Sequence, residues 1–208
     1  MRVKRKIVAV AIVLSCVLCM TGCNKLFGKD ENDRDMSDRG LNYYFEGESY
    51  DAVDASVDND ITYKAPEIKC ESDKNLRAYA TESEILFIWL GKKADKINSE
   101  DVLAKNSKAI TRYICTFADI ETVDVSFNLD MTAEDTVNNI DRKKYVGTVD
   151  GINRSGIDVA FRTSIYTFVV NGRPGCVLGL VLDGSQTDEK FNEVDANTQV
   201  MVNSMKIK

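Results

Sequence analysis

The sequence predicts an α+β fold, an antiparallel β-sheet with packed helices, over residues 61–208. Three observations predict it. Ile85–Leu90 is a continuous apolar run of β-branched and aromatic residues that stops at Gly91, the pattern of a strand buried on both faces. Three long strands are expected at Tyr145–Ile152, Ile157–Val170 and Cys176–Leu182, the last two joined by Asn171-Gly172-Arg173-Pro174-Gly175. Two stretches, Asn98 to Phe117 and Thr187 to Met205, repeat apolar residues at helical spacing.

Arg2, Lys4, Arg5 and Lys6 open the chain, followed by an apolar stretch from Ile7 to Leu18 that only Ser15 and Cys16 interrupt, which is the pattern of a secretory signal. It falls short of the roughly 20 residues that a spanning helix needs. The stretch ends at Met20-Thr21-Gly22-Cys23, which resembles the lipobox of bacterial lipoproteins: an apolar residue, two small ones, then cysteine. Leucine is commoner in that family where Met20 stands. The resemblance implies a signal peptide over 1–22, a diacylglyceryl group on the Cys23 sulfur, and the lipid bilayer as partner. The protein would then sit on the cell membrane facing outside the cytoplasm. An uncleaved N-terminal anchor is the alternative. Two acyl chains hold where one binds only reversibly, at about 0.8 kcal/mol per buried methylene.

The signal carries four bases and no acid, so its removal takes the net charge from -6 to -10. Such a surface repels phosphates, and nucleic-acid binding is not expected. The 186 residues that remain are enough for one domain with a real core. Of the cysteines beyond Cys23, Cys70, Cys115 and Cys176 make an odd set with no close pair. Three buried thiols are expected, one bridge plus a thiol being the alternative. Cys16 and Cys19 leave with the signal, no CxxC lies beyond it and the chain has no histidine, so neither a zinc site nor a cofactor is expected.

Residues 23–60, rich in Asp, Asn, Glu, Ser and Gly, read as an acidic flexible tether with an end-to-end distance of order 35 Å. Two features interrupt it. Leu41, Tyr43, Tyr44, Phe45 and Tyr50 form an aromatic cluster, expected to fold back on the domain as a short strand or clasp, or else to dock a partner. Asp51, Asp54, Asp58 and Asp60 lack the glycine and distal glutamate of a calcium loop and read as a solvated acidic turn.

Within the domain, Ile61–Tyr63 and Ile68–Cys70 flank Pro66 and are expected as short edge strands. Leu76–Thr81 alternates, and Tyr79 and Trp89 are core candidates. Asn98 or Ser99 caps the first helix, with Leu103, Ile110, Ile114 and Phe117 on its apolar stripe, Val102 and Tyr113 widening it, and Cys115 near its edge. Lys105, Lys108 and Arg112 fall on the wet side. Val123, Val125 and Phe127 alternate as a half-exposed strand, and Thr132 to Asp135 opens a short helix that turns Val137 and Ile140 inward. In the last helix, capped by Ser185 or Thr187, Phe191, Val194, Thr198, Met201 and Met205 form the buried stripe.

Long antiparallel strands, a hairpin into Cys176–Leu182 and a terminal amphipathic helix ending Asn203-Ser204-Met205-Lys206-Ile207 resemble the α/β/α sandwich of the photosystem extrinsic protein PsbP and its bacterial lipoprotein relatives. That PsbP-like resemblance covers about the last 60 residues well and the region from Ile85 loosely, and implies a binding or assembly module. A cystatin-like or NTF2-like curved sheet is the alternative fold. The catalytic inventory is thin. Without histidine there is no Ser-His-Asp or Cys-His dyad. Ser107 and Lys108 are adjacent and do not face each other on a helix. Asp158 and Asp183, at strand ends, are the acids with the most apolar surroundings. The expected function is therefore a non-catalytic module that binds a protein of the cell envelope. A small-ligand or cation-binding domain is the alternative, and an acid-pair hydrolase stands third.

Overall fold

The computed structural model describes residues 41–94, 97–98, 101–118, 125–153, 155–182 and 188–208. Expectations for Met20 to Cys23 and for residues 24–40 lie outside the described residues, as do those for Val123, Asp183, Ser185 and Thr187.

The buried run Ile85–Leu90 sets the architecture. It is strand β6 (Glu84–Leu90), every residue of it buried, in a seven-stranded antiparallel sheet of order β4-β5-β6-β10-β9-β8-β7. Its neighbours are β4 (Cys70–Asp73), β5 (Leu76–Ala80), β7 (Ser126–Val137), β8 (Ile140–Ile152), β9 (Asp158–Val170) and β10 (Arg173–Val181). Alternation along a strand sends successive side chains to opposite faces. Ile85, Phe87 and Trp89 join one core with Ile110, Ile114, Cys176, Leu178 and Leu180. Leu86, Ile88 and Leu90 join a second with Phe168, Val177, Met201 and Met205. A strand that feeds two cores is apolar at every position, which is why the run showed no period.

Helix α1 (Asp101–Ala118) covers the first face by packing on β9 and β10. Asn98 caps it, its Oδ1 accepting from the Asp101 N–H at 3.0 Å. Lys105, Lys108 and Arg112 are exposed as expected. Helix α2 (Asp188–Asn203) lies on the second face, against β6, β9 and β10. The result is an antiparallel sheet with a helix on each side, the α/β/α layering of the first expectation rather than the curved-sheet alternative.

Gly179 decides how closely α2 can approach. A Cβ built there would lie 2.5 Å from both Thr198 Oγ1 and Val194 Cγ1. Gly179→Ala is expected to cost about 2 kcal/mol by overpacking, read as a lower urea midpoint. An unchanged midpoint would mean that α2 shifts freely on the sheet.

Three expectations are corrected. Residues 42–57, expected as tether, are strands of the fold, so it does not start at 61. β1 (Asn42–Phe45), β2 (Glu48–Val57), β3 (Ile61–Pro66) and β11 (Lys206–Ile207) form a second, four-stranded antiparallel sheet of order β1-β2-β3-β11. Tyr43 and Phe45 are fully buried in the second core, so the aromatic cluster is strand and not docking segment. The short helix expected at Thr132 is the second half of β7, because Asn138 and Asn139 both take positive φ and close a two-residue hairpin into β8. Finally, the ending after Asn203 leaves the helix and pairs with β3, Lys206 opposite Thr62. Met205 is buried from that strand junction rather than from α2.

Candidate partner-binding face

Helix α1 packs on β9 and β10, and to one side of it the same sheet face continues over β8 and the edge strand β7. Before its bulge, β7 alternates Phe127, Leu129 and Met131 onto this face and Ser126, Asn128 and Asp130 onto the other. The register sets Phe127 beside Val149, Leu129 beside Gly147 and Met131 beside Tyr145. Phe127, Leu129 and Tyr145 are half-buried, and Met131 is 55% exposed. Gly147 leaves a gap between Tyr145 and Val149. It is glycine by necessity, since a Cβ there would meet the Asn128 carbonyl oxygen at 2.1 Å. The outcome is a row of apolar side chains continuous with the first core and open to solvent at the sheet edge.

The row stops at Thr132, where the register shifts by a bulge. Beyond it the β7–β8 ladder is charged: Glu134 with Lys143 at 3.4 Å, and Asp135 with Arg142 at 2.5 Å. Bulges and charges guard an edge strand against indiscriminate pairing. The apolar half of β7 has side-chain surface to offer, and the charged half is closed off. Arg142, nearly fully buried, also donates to Asn203 of α2 at 2.8 Å.

On the opposite face, Lys144, Asp195 and Ser164 form a triplet that the sequence did not reveal. Lys144 Nζ lies 2.6 Å from Asp195 Oδ1, and Ser164 Oγ donates to the same oxygen at 2.7 Å. The three residues stand on β8, α2 and β9, so no spacing could have paired them. Ser164 is fully buried, and its proton is held by a carboxylate already paired with lysine. The triplet ties α2 to the sheet and offers no nucleophile to a substrate. Burial, then the nearby Asp195, pushes the Tyr166 hydroxyl up to about 12.

The remaining sequence candidates are dispersed. Asp158 is exposed at the start of β9. The acid in an apolar setting is instead Glu84, the first residue of β6, fully buried. Its signal was present: it directly precedes the apolar run. No disulfide joins Cys70, Cys115 and Cys176; Cys115 and Cys176 are buried, while Cys70 is exposed on the edge strand β4, against the expectation of three buried thiols. Burial raises the Cys176 thiol well above its usual range. Of the four acids after Tyr50, Asp54 pairs with Lys64 at 3.0 Å. Asp58 and Asp60 both take Arg173, which pins the β2–β3 loop to the β9–β10 turn. Among the described residues no group of three or more His, Cys, Asp or Glu side chains is placed to hold a metal ion.

No protein-family model matches the chain, and no curated protein matches it by sequence. Among solved structures, the chain is similar to the Ran-binding protein Mog1p of Saccharomyces cerevisiae, with 14% identity, a TM-score of 0.46, and coverage of 76% of this chain and 96% of that one.

Proposed function

We propose that this protein is a lipid-anchored, extracytoplasmic, non-catalytic module that binds a protein partner of the cell envelope. The anchor reading rests on Met20-Thr21-Gly22-Cys23. The observation that carries the binding reading is the open apolar row Phe127, Leu129, Met131 and Tyr145 on the α1 face of the sheet. Apolar side chains left in a row at a sheet edge gain free energy when a partner removes them from water, at about 25 cal/mol per Å².

Two measurements test the two halves. Mass spectrometry of the membrane fraction is expected to find an acylated N-terminal Cys23, and Cys23→Ala to leave the chain unprocessed or released. A mature chain that begins elsewhere overturns the anchor. A photo-crosslinking residue at position 131 is expected to trap one protein in intact cells. The same residue at Val53, 39% exposed on the smaller sheet, is expected to trap none. Met131→Glu, which buries no new charge, is expected to abolish a crosslink placed at Leu129. Equal trapping at 131 and 53, or a crosslink indifferent to Met131→Glu, overturns the assignment of the face.

A further inference from the structure

A strand at the edge of a sheet leaves every second N–H and C=O without a partner strand, and folds blunt such edges by shortness, charge or cover. Among the described residues the two sheets end on β1, β11, β4 and β7. β11 is two residues long, and β4 is four, all exposed and including Glu71 and Asp73. β1 is covered, since the Asn197 side chain of α2 takes both the N–H and the C=O of Tyr44. β7 is the exception. It is twelve residues long and pairs on one side only, with β8.

Its first half, Ser126–Met131, carries no base, no proline and no bulge. At about 3.3 Å per residue this is roughly 20 Å of open backbone edge. Phe127, Leu129 and Met131 lie along it on the α1 face, the first two half-buried and the third exposed. The charge at this edge has one sign. Asp130 is exposed. Past the bulge the Glu134 and Asp135 side chains are 61% and 49% exposed, whereas their bases on β8, Lys143 and Arg142, are 6% and 2% exposed. The bases stand inward and the carboxylates outward.

We propose that β7 accepts an added β-strand from the partner protein along Ser126–Met131, an extended segment apolar beside Phe127, Leu129 and Met131 and basic at the end that meets Asp130, Glu134 and Asp135. This rests on the reading of the β7–β8 face as the partner-binding surface, and it gives the partner a form there. Backbone hydrogen bonds hold an added strand, and alternate side chains select it. A helix laid on the same row would cover the apolar side chains and leave the edge N–H and C=O groups in water. A second copy of this chain would bring to its own β7 edge the same outward carboxylates, which like charge disfavours.

The bulge and the carboxylates thus do two things at once. They turn away a strand of arbitrary sequence, and they select one whose basic end complements them. Every pairing within the seven-stranded sheet is antiparallel. An added strand that follows the same order runs opposite to β7, so its bases lie at its N-terminal end, beside Glu134 and Asp135.

The test is a fluorescence anisotropy titration of the full-length chain in detergent with the capped peptide Lys-Lys-Thr-Val-Thr-Val-Thr-Val. Saturable binding is expected, and the same peptide with Glu-Glu in place of Lys-Lys is expected not to bind. Two further peptides carry backbone N-methyl groups, one on each alternate set of residues. A strand residue turns its N–H to one side only, so one set is expected to abolish binding and the other to change it by less than about threefold. Asp130→Asn, an exposed position, is expected to weaken binding by about threefold. With peptide bound, alternate amides between positions 126 and 131 are expected to exchange with solvent about tenfold more slowly or less. The proposal is overturned if the Lys-Lys peptide does not saturate, if both methylated sets behave alike, or if the edge amides exchange at an unchanged rate. Trapping of a protein at position 131 with the edge amides unprotected leaves the face standing and removes only the added strand.

Discussion

Tyr43→Ala is expected to cost about 4 kcal/mol of unfolding free energy, close to what a buried aromatic loses on truncation to alanine. Tyr43 is fully buried in the second core, and its hydroxyl donates to the Lys64 carbonyl at 2.6 Å. Burial, with Tyr63 close by, raises that hydroxyl far above its ordinary value, so it stays a donor at any working pH. Removing the ring leaves a cavity among strands of the smaller sheet and orphans a carbonyl oxygen. Tyr44→Ala is the internal control. That side chain is 46% exposed, and its loss is expected to change stability by under about 0.5 kcal/mol. What holds Tyr44 is its backbone, whose N–H donates to Asn197 Oδ1 at 2.9 Å while its carbonyl accepts from the same amide. Urea titrations of the two variants decide the matter. If both leave the midpoint unchanged, β1 and β2 are not part of the cooperative fold.

The second large effect is a pH dependence that a single carboxyl imposes. In the folded chain Glu84 holds its proton up to about pH 7, against an ordinary value of 4.5, because burial and then Glu193 oppose its ionisation. A group whose pKa is higher when folded binds more protons in the native state, so stability falls as pH rises between the two values. At about 1.4 kcal/mol per pH unit, this one group removes about 3 kcal/mol between pH 4.5 and neutrality. The remaining carboxylates contribute slopes of their own, so the informative quantity is the difference between the unaltered chain and Glu84→Gln. Glu84→Gln is expected to be the more stable of the two at pH 8, and that advantage to vanish by about pH 5. A difference independent of pH would mean that Glu84 is ionised in the folded protein and finds a partner.

The two effects trace to opposite ends of what sequence can specify. β6 was legible because a strand buried on both faces must be apolar at every position, and six such residues ending at Gly91 meet that condition. α1 was legible from its stripe and its Asn98 cap, and α2 from Phe191, Val194, Thr198 and Met201, all buried. The β9–β10 hairpin was legible because positive φ at Asn171 and Gly172 restricts the residues that can stand there, although Arg173, Pro174 and Gly175, expected in the connection, open β10 instead. Each of these follows from a local period or a local backbone constraint.

Elsewhere the local pattern was overridden. Thr132 to Asp135 looks like a helix start, yet Asn138-Asn139 closes a hairpin, and β8 supplies partners for every residue of that half of β7 apart from the bulged Thr132. The segment Asn42–Val57 is polar and acidic enough to pass for tether, since only one side of its strands meets a core. Its fate is decided by Asn197 of α2, over 150 residues away, and by pairing with β3. The charged sites show the same limit. Glu84, Glu193 and Glu46 stand on a strand, a helix and a turn, and Lys144, Asp195 and Ser164 on two strands and a helix. Their meeting is a property of the antiparallel order β6-β10-β9-β8 with α2 laid across it, and no spacing along the chain encodes it. The sequence by itself determined the periods, caps and turns, because those are set by neighbours within a few residues. Which carboxylate is deprived of water and which apolar row is left open were decided by tertiary packing, because burial depends on what the rest of the chain brings to each face.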